Sequence, residues 1–340
     1  MAVAITNKHR MSGLCVAAIL LASGSPVAAQ DRLTSTISVA HETAAAEVDN
    51  AALLYNRAWQ LGDPHFARAF VRGDWQLTPE FAERLKANQP MIEMLLRATR
   101  VKACDWGIEY EEGFNALLPH LGLLRSSART LVADARRLAQ EGEHAEAAKR
   151  LDATVRMATH LEQDRVVISG LVAMAIAQLA ADETVRLIEA GELPRARTRL
   201  LERRLGAIDL DDPFELTGAI AGEHELLEAW LAALPEGESS RVLADASAQF
   251  GGKHADTFRA MDDAQVAAEV ALLERYYEDA LAMWPAADAA ERYARLEDAL
   301  QAGAYGSITP VFAASVTQVR VAAERFAEQI RGALDAIEGG

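Results

Sequence analysis

Residues able to do chemistry are few in this chain and widely spaced. Cys104 sits among carboxylates, with Asp105 and Glu109 beside it. A thiol attacks as the thiolate, which an electropositive setting favours and acidic neighbours oppose. The apolar neighbours Ala103, Trp106 and Ile108 instead predict a buried, structural thiol. Beyond residue 29 the histidines are His41, His65, His120, His144, His160, His224 and His254, and none forms the HExxH spacing that sets two imidazoles on one helical face. His224 and Glu228 do share a face, but a zinc ion needs at least one further ligand. The expected state of His224 is a solvated ring among surface carboxylates, and no metal site is expected. There is no GxSxG elbow and no glycine-rich phosphate loop, so no cofactor is expected. Trp106, Tyr110 and Phe114 recur at a spacing of four. They are the candidate binding residues, because aromatic side chains are enriched on recognition surfaces, although the same spacing on a helix makes a buried stripe.

The element that must organise these residues is the run from Arg165 to Gly191, RVVISGLVAMAIAQLAADETVRLIEAG, in which Val166 to Ala181 carries no charge. Apolar side chains all round a helix predict burial on every side. A membrane span needs about 20 apolar residues, and this run ends at Asp182. It therefore reads as the central helix of a helical protein, with Gly170, Ala173, Ala177 and Ala180 small enough for neighbouring backbones to approach.

Residues 1–29 have the three parts of a secretory signal peptide. These are basic Lys8-His9-Arg10, apolar Met11 to Ala22, and small Val27-Ala28-Ala29 before a cut after Ala29. An exported chain, periplasmic or extracellular, would then run from 30 to 340 without a membrane span. Losing Lys8 and Arg10 deepens the formal charge from −16 to −18. Such acidity argues against nucleic acid, whose phosphates need lysine and arginine, and against an anionic membrane surface. Cys104 would be the single cysteine left, so packing rather than an internal disulfide must supply stability. With 51% hydrophobic residues, dominated by alanine and leucine, and 6% aromatics, the composition favours helix.

Helix signals follow almost to the end. Val39 to Leu61 carries Ala45, Val48, Ala52 and Tyr55 on one face. Asp63-Pro64 and Thr78-Pro79 each predict a helix start, and Pro90 should kink or split the helix running from Pro79 toward Val101. Residues 103–125 are irregular, with Pro119 able to open the next helix. Ser127 to Gln140 presents Leu131, Val132, Ala135, Leu138 and Ala139, and Glu143 to Leu161 presents Ala147, Leu151, Val155 and Ala158. Joined at Gly142, these form an αα-hairpin.

That hairpin resembles a tetratricopeptide repeat, with Ala135, Gly142, Ala147 and Leu151 at the small, turn, small and large positions of the family. Gly191, Ala196 and Leu200 repeat the pattern 49 residues on. The resemblance spans about residues 127–205 and implies an irregular array of helical hairpins that displays a protein-binding surface. It departs from the family in its spacing, which is about 34 residues there, in Leu131 where tryptophan is usual and in Thr159 where proline is usual. The order of Cys104-Asp105-Trp106, a Gly-Glu hairpin and a long apolar helix also resembles secreted bacterial helical proteins, and brings no activity with it.

Past residue 208, Asp212-Pro213-Phe214-Glu215 predicts a capping-box helix start and Pro235 its stop, with Gly251-Gly252 as a hinge. Three helices follow. Val266, Val270, Leu273, Tyr277, Leu281 and Trp284 line the first; Ala289, Tyr293, Leu296 and Leu300 the second; and Phe312, Val316, Val319, Ala323, Phe326, Ile330 and Ile337 the last, starting at Thr309-Pro310. Glu238-Ser239 ahead of Gly251-Gly252 resembles lytic transglycosylases, which implies glycan cleavage at Glu238. Their Gly-Leu-Met-Gln segment is missing here.

The expected protein is all-α. A signal peptide (1–29) precedes a tetratricopeptide-like hairpin domain (31–208) and a C-terminal helical bundle (209–340). Its expected function is that of an exported, non-enzymatic interaction or scaffold protein with a protein partner. The other function class is a cell-envelope enzyme acting through Glu238 or Cys104.

Overall fold

The computed structural model describes residues 49–339 apart from 70, 72–74, 250–253, 287 and 314. The signal-peptide segment, the first part of the helix expected over 39–61 and the Gly251-Gly252 hinge lie outside the described residues, as does the side chain of Phe114. Every regular element described is helical. α1 (Ala51–Gln60) starts where Asn50 accepts a hydrogen bond from the Ala52 N–H. α2 (Pro79–Ala87) starts behind Thr78, which caps it through the Phe81 N–H. Proline lacks the N–H that a continuing helix requires, and the chain breaks at Asn88 before α3 (Gln89–Ala98), the split expected at Pro90. The helix expected from Pro64 is a single 3-10 turn, Phe66–Ala69. Asp63 caps it through the His65 N–H, but Phe66 packs edge-on against Phe81, and Val71 and Trp75 beyond it are buried.

α4 (Pro119–Gln140) and α5 (His144–Thr159) form the predicted hairpin. Gly142 takes the left-handed φ of 82°, and the Glu143 N–H reaches back to the Leu138 carbonyl, a helix stop that needs a residue without Cβ strain. α6 (Val167–Glu189) ends the same way at Gly191, φ 70°, with Glu192 bonded to Leu187. The backbone of the two turns matches, but the burial after them does not. Ala147 and Leu151 are fully buried, whereas Ala196 and Leu200 are exposed on a 3-10 turn and on α7 (Arg199–Leu205).

α6 is the central helix, packed against α4 and α5 on one side. Its burial is not complete on every side: Ile168, Ala175 and Asp182, seven residues apart, form an exposed stripe. Only the first of these, Ile168, borders a groove between α6 and the C-terminal helices.

α8 (Leu216–Ala232) crosses α6 without the expected capping box. Phe214 and Glu215 both hold left-handed backbone, φ 55° and 54°, and Asp212 bonds Thr217 instead. Burial of Phe214 against Phe326, and of Leu216 over Gly170, outweighs the local preference. α9 (Ser239–Gln249) and α10 (Ala255–Arg259) pack together and lead to α11 (Asp263–Met283), which has a full capping box between Asp262 and Gln265. α12 (Ala289–Gln301) follows. The last helix does not start at Thr309: a short turn, α13 (Thr309–Phe312), stops at Ala313, and α14 (Val316–Glu338) starts afresh. Glu269 accepts from the N–H groups of Ser307 and Ile308 and so holds the approach to α13 in place. All seven residues expected on one face of the last helix are buried, and α14 lies along α6. The described residues form one compact unit.

Candidate functional site

The irregular strand of chain from 101 to 109 is pinned to α1. The Ala51 N–H donates to the Ala103 carbonyl at 2.8 Å, and Asn50 and Asp105 exchange two hydrogen bonds of 2.8 and 2.9 Å. Gln163 reads the same strand from the other side, accepting from the Cys104 N–H and donating to the Lys102 carbonyl. Asp105 then closes a turn onto the Gly107 N–H, with Gly107 at φ 63°. These contacts fix Trp106 against Trp59, one helical turn from Tyr55 on α1. Ring centroids of Trp106 lie 5.8 Å from Trp59, 5.6 Å from Tyr55 and 4.6 Å from His120, all at low interplanar angles.

Hydrogen bonds hold Trp59, His120 and Tyr55 in place. The Trp59 indole N–H donates to Ser127 Oγ at 3.0 Å. His120 Nε2 meets Asp164 Oδ2 at 2.8 Å, and Ser169 donates to the same oxygen at 2.9 Å. The carboxylate bridges the serine and the histidine, the reverse of a catalytic triad in which histidine stands between the other two. His160 Nε2 donates to the Val101 carbonyl, so Nδ1 of the neutral ring accepts from the Tyr55 hydroxyl at 2.9 Å. Burial pushes the His160 pKa down, in keeping with that neutral form.

Above this layer a cleft of about 450 Å³ opens between α1, the 106–117 segment and the start of α4. Trp59, Trp106 and His120 form its aromatic wall, Ile108, Leu117 and Leu123 its apolar edges, and Glu109 and Glu112 stand at its rim. Among the described residues no lysine or arginine lines it. Leu117, 83% exposed, lies at its mouth beside the half-buried Trp106. A second, more open groove of about 510 Å³ runs between the start of α6 and α14, lined by Ile168, Leu171, Phe312 and Val319. Glu223 borders it, and its carboxylate accepts from the Val167 N–H and so caps the central helix.

Of the three candidate binding residues, Trp106 lines the cleft. Tyr110 does not; it is half-buried against the Arg165 backbone, within a 3-10 turn (Tyr110–Asn115) rather than an α-helix. The spacing of four is therefore not a helical stripe here. Cys104 is 1% exposed, and burial, Asp164 and Asp105 together push its thiol to about 12. Glu238 is half-buried just ahead of α9 and paired with Arg241, outside the cleft. His224 is not the solvated ring expected: its side chain is 14% exposed and packs on Tyr277, with Glu228 at 3.7 Å. Among the described residues no group of three or more His, Cys, Asp or Glu side chains is placed to hold a metal, and no helix is long and apolar enough to cross a membrane.

Sequence reasoning missed Trp59, His120 and Asp164. The only local signal was Trp59 lying four residues after Tyr55, the same interval that drew attention to 106, 110 and 114.

Fold and site together define an all-α protein with a tryptophan-walled, acid-rimmed cleft. In comparisons with known proteins, no family model, no curated protein and no solved structure matches the chain.

Proposed function

We propose that this chain is an exported, non-enzymatic interaction protein, an irregular tetratricopeptide-like hairpin array followed by a C-terminal helical bundle, which presents the Trp59–Trp106 cleft to a protein partner. The observation that supports this reading is the wall of Trp59 and Trp106 beside the exposed Leu117. Tryptophan anchors in pockets ringed by apolar and polar groups are the usual energetic centres of protein interfaces. The residues lining the cleft are two tryptophans, a hydrogen-bonded imidazole, apolar side chains and carboxylates, a set suited to holding a partner.

Capture with the chain 30–340 from an envelope extract tests the reading. A protein partner should be retained by the wild type and lost with Trp106→Ala, whose helix content and melting transition are checked alongside. Equal retention by both proteins, or none by either, overturns it. Mass spectrometry of the natural protein in fractionated cells tests export, with a mature start near Gln30 as the expected result.

A further inference from the structure

We infer that the Trp59–Trp106 cleft takes an arginine side chain from a basic, apolar-flanked segment of its protein partner, an assignment that rests on the cleft being the binding face. The charge of the site carries the inference. Glu109 and Glu112 stand at the rim, and the lining among the described residues holds no lysine or arginine beside them. The whole chain has a formal charge of −16, so the wider field also draws cations toward the molecule.

The wall adds what a simple ion site lacks. Indole faces attract cations through the ring quadrupole, and tryptophan does so most strongly. A guanidinium is planar: it can lie along such a face while its edge pairs with a carboxylate, which the compact lysine ammonium cannot do as well. The same chain shows this chemistry internally, with the Arg136 guanidinium 3.5 Å from the Trp75 ring centroid and bonded edge-on to Glu183. The size and edges of the cleft point to a polypeptide rather than a small amine. At about 450 Å³ it has room for more than one side chain, and Ile108, Leu117 and Leu123 offer apolar contact beside the acidic rim.

The test uses the chain 30–340 and three probes, with binding followed by calorimetry. The probes are a blocked peptide carrying one arginine between two leucines, the same peptide with glutamine in place of arginine, and free arginine amide. The arginine peptide should bind about tenfold more tightly than the glutamine peptide, the scale of one desolvated cation–aromatic contact, and should weaken as salt is raised. The double variant Glu109→Gln/Glu112→Gln, altered only at the exposed rim, should remove most of that preference and most of the salt dependence. Trp106→Ala should abolish binding of the peptide. If both peptides bind equally and Trp106→Ala abolishes both, the cleft is a binding face but the arginine assignment is wrong. If arginine amide binds as tightly as the peptide, the site serves small organic cations and the polypeptide assignment is wrong. If no probe binds while capture of a partner still depends on Trp106, the inference falls and the function proposed above stands.

Discussion

Glu162 shows how burial sets the behaviour of one carboxyl. Removal from water, and secondarily the neighbouring Glu215, raise its pKa to about 7. The folded value therefore lies above the unfolded one. The protonated form is the comfortable one, and stability falls as pH rises from the ordinary carboxylate range through about 7. Glu162→Gln should remove that slope. At pH 8 the variant should be more stable than the wild type by on the order of 1 kcal/mol, allowing for screening at a half-buried site, and at pH 5 the two should be nearly equal. Urea titrations at both pH values measure this, and an equal gain at both would place the effect elsewhere. Cys104 follows the same physics: burial and nearby carboxylates keep it a thiol.

Among the helices, two glycines separate propensity from packing. Gly222 lies on α8 where it crosses the chain ahead of α6. A Cβ there would sit 2.7 Å from the Arg165 carbonyl oxygen and 2.9 Å from Arg165 Cβ, and backbone cannot swing aside as a flexible side chain can. Gly332 lies on α14 with nothing within 4 Å of the same position. Alanine at a helical glycine ordinarily stabilises by about 1 kcal/mol. Gly332→Ala should raise the melting temperature accordingly, whereas Gly222→Ala should lower it, at a cost of about 1–3 kcal/mol from overpacking. The same sign at both sites would mean that the α8 crossing is looser than its geometry states.

For the molecule as a whole, buried charges tie together segments far apart in the chain. Arg136 donates to Glu183 at 2.8 and 2.5 Å and to the Trp75 carbonyl at 2.7 Å, joining α4, α6 and the segment before α2. Asp134, fully buried, accepts from Gln89, Arg137 and Arg150, joining α3, α4 and α5. Breaking such a pair strands a charge. Glu183→Leu should destabilise by about 3–5 kcal/mol, while Arg136→Met combined with Glu183→Leu should recover much of the loss, because an apolar pair carries no desolvation debt. A double-mutant cycle read by denaturant unfolding measures the coupling. Purely additive losses would show that the pair does not act as a unit.

Local information determined the helical class, the αα-hairpin at Gly142, the split at Pro90, the buried face of α14 and the burial of Cys104. Each rests on a periodicity, a missing N–H or a preference that acts within a few residues. Tertiary structure decided the rest. It turned Phe214 and Glu215 into left-handed backbone where Asp212-Pro213 signalled an ordinary cap, and it ended the Pro64 helix after one turn. It buried Arg136, Asp134 and Arg150, which any pattern of apolar residues assigns to the surface, because their partners lie on other helices. It also assembled the cleft, whose walls come from residues 59, 106 and 120. No sequence interval encodes that meeting; it follows from Asn50 and Gln163 pinning one irregular strand of chain between two helices.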